Sequence, residues 1–176
     1  MKVKTSRFGE LDVPRDKIIH MPLGILGFQN SFNYFILDHA EDSPFKWLQS
    51  ADEADLAFVI IDPYLFKPDY NVEVSNDDLA PIQTGDISDI VIAVLVSIHG
   101  DPRLMTANLL APLLVNYKKM LGMQTVMNNS SYTTRCNILD EMQKNRDMIV
   151  DMEKRNIENQ RKEQDAAIVS RKAASM

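Results

Sequence analysis

At 176 residues with 45 % hydrophobic content, the chain can bury one core and leave residues over for an appendage, so one domain plus a tail is the expectation. A formal net charge of −6 speaks against a protein held to nucleic acid by basic surface, and the single cysteine, Cys136, excludes an internal disulfide and fits a reducing compartment. The basic start lacks the apolar stretch of a secretory signal and no apolar run approaches the roughly 18 residues of a membrane span, which places the protein in the cytoplasm with no membrane partner.

The charge is unevenly spread. Residues 137–176 hold 8 basic and 8 acidic side chains, so the whole deficit lies in residues 1–136. Between residues 18 and 102 only Lys46 and Lys67 stand against 14 carboxylates, a local balance of −12. Such a field repels nucleic acid and attracts a basic partner. The alternative is ordinary solvated loop surface.

In chain order, Val3 to Phe8 alternates and leads through Gly9 into Leu11 and Val13, a short hairpin closed by Pro14. Residues 18–21 read as the next strand. Leu23-Gly24-Ile25-Leu26-Gly27-Phe28 then spaces two glycines three apart. A phosphate loop would need Lys followed by Ser or Thr after the second glycine; Phe28-Gln29 stands there instead, and a tight turn with buried Leu and Phe is the better expectation. Residues 32–37 form a strand, followed by the acidic loop Asp38-His39-Ala40-Glu41-Asp42-Ser43.

Residues 44–63 are the organising stretch, two strands joined by the charged connector Ala51-Asp52-Glu53-Ala54-Asp55 and carrying the only tryptophan, Trp47. Prolines 63 and 68 then stiffen a segment from which Tyr64, Phe66 and Tyr70 hang, pinned in the core or available for binding. Val72-Glu73-Val74 is short and extended. Ser75 or Asn76 can cap a helix of one or two turns, the only one expected before residue 137. Residues 87–98 are almost continuously apolar, which marks a central strand covered on both faces. Residues 105–116 form a strand broken at Ala111-Pro112, and residues 122–127 the next. Strand following strand at short spacing favours a mainly β fold, a small antiparallel barrel-like domain.

From Asn137 glycine and proline disappear and a long helix is expected, with Asn137 as its cap. Ile138, Met142, Ile149 and Met152 keep roughly heptad spacing, but Asn156, Asn159 and Glu163 follow on that face, so the seam stops halfway. The first half can pack on the barrel or a partner, including a second copy; beyond it the helix is polar all round and solvated. Domain boundaries follow: residues 1–136 barrel, 137–176 helical extension.

No catalytic or metal constellation emerges. His20, His39 and His99 have no ligand partner at metal spacing, the Asp38-His39-Asp42 cluster is merely local, and Cys136 lacks an activating base, though its place at a helix start allows a lowered pKa. No cofactor is implied. A small barrel enzyme or cofactor protein with an unrecognised pocket is the alternative.

Gly24-Ile25-Leu26-Gly27-Phe28, Pro44-Phe45-Lys46-Trp47-Leu48-Gln49-Ser50, Leu56-Ala57-Phe58 through Asp62-Pro63, Pro68-Asp69-Tyr70, and Thr106-Ala107-Asn108-Leu109 with Ala111-Pro112 together resemble the pattern of the FliW family. The resemblance covers about residues 1–136. It implies a β-barrel-like protein without enzymatic activity that binds newly made flagellin in the cytoplasm and, alternatively, the carbon storage regulator CsrA, an mRNA-binding translational repressor. Flagellin occupying such a protein frees the repressor, and flagellin translation falls. The resemblance assigns no partner-binding residues. Charge and expected exposure point to Asp52, Glu53, Asp55, Asp69, Glu73, Asp77 and Asp78 as a face for the basic repressor. Tyr64, Phe66 and Tyr70 are candidates to line a groove for a flagellin helix. The helical extension departs from the family pattern.

Overall fold

The computed structural model describes residues 1–84, 87–128 and 131–173. Its strands are β1 (Lys2–Thr5), β2 (Gly9–Asp12), β3 (Ile19–His20), β4 (Asn33–Asp38), β5 (Phe45–Ser50), β6 (Ala57–Ile61), β7 (Ile90–Ser97), β8 (Thr106–Ala107), β9 (Leu113–Asn116), β10 (Leu121–Gln124) and β11 (Cys136–Asn137), followed by one helix, α1 (Ile138–Ala173). β7, β6, β5, β4, β3, β10 and β9 are hydrogen-bonded in that order, and β9 returns to β7. The sheet therefore closes on itself, which removes the exposed edges that an open sheet would leave.

The closure depends on the length of β7. Along one edge it carries β6; along the other its first half, Ile90 to Ala93, pairs with β9, and its last residues, Val96 and Ser97, pair with β8. Pairings are antiparallel apart from a single parallel contact, Leu121 to His20. The mainly β, antiparallel barrel followed by a long helix is thus the fold.

Alternation with period two sorts the core. Ile19, Met21, Ile25, Tyr34, Leu48, Ile60 and Leu113 fill the barrel interior, joined by Ala93 and Leu95 of β7. Their neighbours point outwards and are covered in turn. Phe35 lies under Val3 and Val13 of the β1–β2 hairpin. Ile61 and Val94 lie under Phe66, Tyr70 and Ile138, and Leu114 under Leu79 and Ile82. The middle of β7 is covered on both faces, as its unbroken apolar run implied. Its flank is not: Val91 is 53 % exposed.

Three expectations need correction. Residues 75–79 form no helix; they make a hydrogen-bonded turn, with the Ser75 hydroxyl accepting from the Asp78 amide, that runs into a 3-10 turn at Ala80–Ile82. Nor is it the only helical turn before residue 137, because further 3-10 turns occupy Arg15–Lys17, Pro63–Leu65, Ile87–Asp89 and Pro102–Leu104. Two of these begin at a proline, whose fixed angle suits the first helical position, and Arg15–Lys17 follows Pro14 as its cap. Asn137 does cap α1, its side-chain oxygen accepting from the Asp140 amide at 3.0 Å. Yet Ile138, counted above with the extension, is only 2 % exposed and belongs to the barrel's core.

Candidate protein-docking surfaces

The acidic connector of residues 51–55 is a built loop. Gln49, fully buried on β5, donates from its amide nitrogen to the carbonyls of Ser50 and Leu56 at 3.0 and 2.9 Å. The Ser50 hydroxyl accepts from the Asp52 and Glu53 amides at 3.0 and 2.9 Å and contacts the Ser31 hydroxyl at 2.6 Å. The Asp52 carboxylate accepts from the Phe32 and Asn33 amides at 2.7 and 2.8 Å, and from the Asn33 side chain at 2.9 Å. Partial burial works to raise the Asp52 pKa, but the bonds from Asn33 and Phe32 outweigh it and hold the carboxyl below its ordinary value. Asp55 accepts from the Ser6 hydroxyl on the β1–β2 hairpin. Asp52, Glu53 and Asp55 are thereby held outwards on a loop tied to two neighbours.

One of those neighbours is the loop from Met21 to Phe32, and here the sequence reading inverts. Ile25 is buried, but Leu23, Leu26, Phe28 and Phe32 are exposed. Gly24 and Gly27 adopt φ of +65° and +87°, the left-handed region open to glycine. The resulting tight turn points Ile25 into the barrel, and the Gln124 side chain fixes the Leu26 amide at 3.0 Å. Phe28 rests edge-on against Phe58 at 5.1 Å. Exposed apolar side chains on a pinned loop, beside a pinned acidic loop, make a surface suited to a basic partner with apolar anchors. The two glycines were the available signal; what hid the surface was the assumption that Leu and Phe in a turn point inwards.

The other four candidate carboxylates do not share this surface. Asp69, Glu73, Asp77 and Asp78 are exposed, but they follow the other end of β6. β5 and β6 pair from Gln49 with Ala57 to Phe45 with Ile61, so the connector of residues 51–55 caps one end of this hairpin and the chain leaves from the opposite end at Asp62. Asp69 is paired with Lys67 at 2.9 Å, Glu73 accepts from Asn71 at 3.1 Å, and Asp78 accepts from the Ser75 hydroxyl at 2.6 Å. The single acidic face is two separate acidic groups.

The aromatic candidates also divide. Phe66 and Tyr70 are core residues, with the Tyr70 hydroxyl donating to the Leu109 carbonyl at 2.7 Å in a buried setting; burial drives the Tyr70 pKa far upwards. Their place inside the protein removes them from any surface. Tyr64 is exposed and lines a groove of about 450 Å³ with Asp62, Asn71, Val72, Val74, Ile90, Val91, Ile92 and Leu114. Of the helix candidates, Ile138 is buried, while Met142, Ile149 and Met152 are exposed.

In the histidine and carboxylate cluster of residues 38–42, Asp38 and His39 are taken up by other partners. Asp38 pairs with Lys46, and His39 stacks on Trp47 at 5.8 Å. Trp47 itself is clamped by Phe8 and by the Arg7 guanidinium 4.5 Å from its ring centre. No group of three His, Cys, Asp or Glu that could hold a metal occurs among the described residues, and no helix among them is long and apolar enough to cross a membrane. The lowered pKa entertained for Cys136 is reversed: burial, with the negative charge of Glu141 beside it, pushes its thiol up.

Comparison with known proteins agrees with this architecture. The family model described as FliW protein matches residues 2–138. A flagellar assembly factor FliW of Thermoanaerobacter pseudethanolicus is 40 % identical over 143 residues, 81 % of this chain and 95 % of the relative. One of Syntrophus aciditrophicus is 39 % identical over 150 residues, 85 % and 92 % of the two chains. A crystal structure of the flagellar assembly factor FliW superposes with a TM-score of 0.72 at 30 % identity, covering 78 % of this chain and 96 % of that one. The match begins in the first strand, takes in the whole barrel and stops at Ile138, where α1 starts. The chain therefore belongs to the FliW family.

Proposed function

We propose that the protein is a non-enzymatic, cytoplasmic flagellar assembly factor that binds flagellin and, alternatively, the translational repressor CsrA, so that flagellin accumulation releases the repressor. Its relatives are named flagellar assembly factors. The observation that carries the repressor half is the junction at which the Asp52 carboxylate holds the Phe32 and Asn33 amides, tying the loop that exposes Leu23, Leu26, Phe28 and Phe32 to the loop that exposes Asp52, Glu53 and Asp55. An RNA-binding repressor must present basic surface, and carboxylates fixed in advance meet it without paying ordering entropy at the moment of binding. The groove beside Tyr64 supports the flagellin half, since a helical segment docks through apolar anchors and the groove wall offers Val72, Val74, Ile90 and Val91.

The test is charge reversal at Glu53 and Asp55, which leaves the Asp52 bonds to Phe32 and Asn33 intact. Glu53→Lys with Asp55→Lys should weaken CsrA binding in calorimetry at least about tenfold and more steeply at low salt, while flagellin binding stays unchanged. Val91→Asp should do the opposite. Unchanged CsrA affinity in the first variant would sink the assignment of the acidic corner.

A further inference from the structure

The side of α1 that meets the barrel at its foot continues uncovered past it. Ile138 is buried, Glu141 pairs with Lys67 at 3.4 Å, and the Asn145 side chain donates to the Phe66 carbonyl. At 3.6 residues per turn, Met142, Ile149 and Met152 lie on that same side, with Met148 at its border. Met148, Ile149 and Met152 are nevertheless 59 %, 56 % and 60 % exposed. Ile149 stands about 16 Å further along the axis than Ile138 at 1.5 Å per residue, out of reach of the residues that cover the foot.

We propose that this stretch docks a second copy of the same chain, as an antiparallel helix pair crossing near Val150. The pattern is self-complementary about that point. Arg146 and Glu153 flank the apolar stripe on one side, two turns apart; both are exposed, and among the described residues neither forms an ion pair within the chain. A two-fold axis through residue 150 brings Met148 against Met152 of the second copy, Ile149 near Ile149, and each Arg146 beside the other copy's Glu153. A parallel pair offers no equivalent. There the flanking partner of Arg146 is Glu141 of the other copy, which is 14 % exposed and already held by Lys67 and Lys144, and both barrels would crowd one end. Asn156, the next residue of the stripe, ends the apolar window and disfavours a shifted register. Few apolar side chains are covered, less than a standard interface, so the association is weak, on the order of 10 μM to 1 mM.

Sedimentation equilibrium on the full chain across that range tests it. The native chain should pass from monomer to dimer, and Ile149→Asp should stay monomeric. Arg146→Glu and Glu153→Arg should each weaken the dimer by about tenfold, since each replaces two attractive contacts by two repulsive ones, whereas the double variant should regain the native constant. Circular dichroism confirms that each variant keeps its helix. A monomer at every concentration, or a dimer indifferent to these charges, overturns the proposal, as would an α1 stripe that binds flagellin in calorimetry while the chain alone remains monomeric.

Discussion

Gly24→Ala separates the two costs that a turn glycine can hide. Gly24 sits at φ +65° and donates its amide to the Met21 carbonyl at 2.9 Å. A methyl group added there would come within 2.7 Å of the Gln29 Cα and 2.8 Å of the Phe28 carbonyl oxygen, both backbone atoms that cannot swing aside. Gly27, in the same loop at φ +87°, would meet nothing within 4 Å. An alanine in the left-handed region costs about 1 kcal/mol at either position, and the backbone collision at Gly24 adds roughly 2 kcal/mol more. Gly24→Ala should therefore lose about 3 kcal/mol and Gly27→Ala about 1 kcal/mol, midpoint shifts of roughly 1.5 M and 0.5 M in urea at a slope of about 2 kcal/mol per molar. Equal losses in the two variants would refute the collision argument. Because the collision lies inside the loop that displays Leu26 and Phe28, the Gly24 variant should also bind CsrA more weakly under conditions where it remains folded.

Tyr70→Phe should destabilise by about 1–2 kcal/mol by leaving the buried Leu109 carbonyl unpaired, whereas Tyr64→Phe on the exposed groove wall should change urea stability by less than about 0.5 kcal/mol. Stability should fall on the acid side: a hydrogen bond from Lys144, with the charge of Lys67, holds the Glu141 carboxyl below its ordinary value, and the bonds to Asp52 do the same there. Lowered folded-state values mean a contribution that is complete above the ordinary carboxylate range and is lost as pH drops through the lowered pKa, so urea midpoints should decline below about pH 4 and Asp52→Asn should flatten part of that decline. A chain ending at Asn137 should lose about 2–4 kcal/mol through the missing Ile138 side chain, while one ending at Arg146, which keeps Ile138, Glu141 and Asn145, should match the full chain within about 1 kcal/mol in the same titration.

Most of the barrel was legible because its strands are short, apolar and punctuated. Residues 44–63 read as two strands and a loop and are β5, the acidic connector and β6. β7 stood out for lacking polar alternation, which follows from its having interior side chains on one face and the covering segment of residues 62–82 on the other. The short pairing of β11 with β8 escaped notice, since two residues carry no periodicity and Asn137 carries a stronger signal as a helix cap. Side-chain direction was the least legible level. Aromatic content at residues 64, 66 and 70 could not tell which rings turn inwards, because that depends on a 3-10 turn at Pro63–Leu65 that sends Phe66 into the core and leaves Tyr64 outside. The acidic residues were correctly expected at the surface, but a charge count has no geometry, and the hairpin that separates residue 55 from residue 69 is invisible to it.

That separation bears on how one protein could hold two partners in turn. The acidic corner at residues 51–55 and the groove at Tyr64 belong to opposite ends of the β5–β6 hairpin, and they share no residue. If CsrA and flagellin bind where proposed, exclusion cannot arise from competition for the same side chains. It requires either partners large enough to overlap beyond their footprints, or a shift of the hairpin that couples its two ends. The closed sheet argues for bulk, since β5 and β6 are each hydrogen-bonded along both edges and a packed interior resists graded deformation. Shortened flagellin segments distinguish the two cases: a short helix that fills the groove should then bind together with CsrA, while full-length flagellin displaces it.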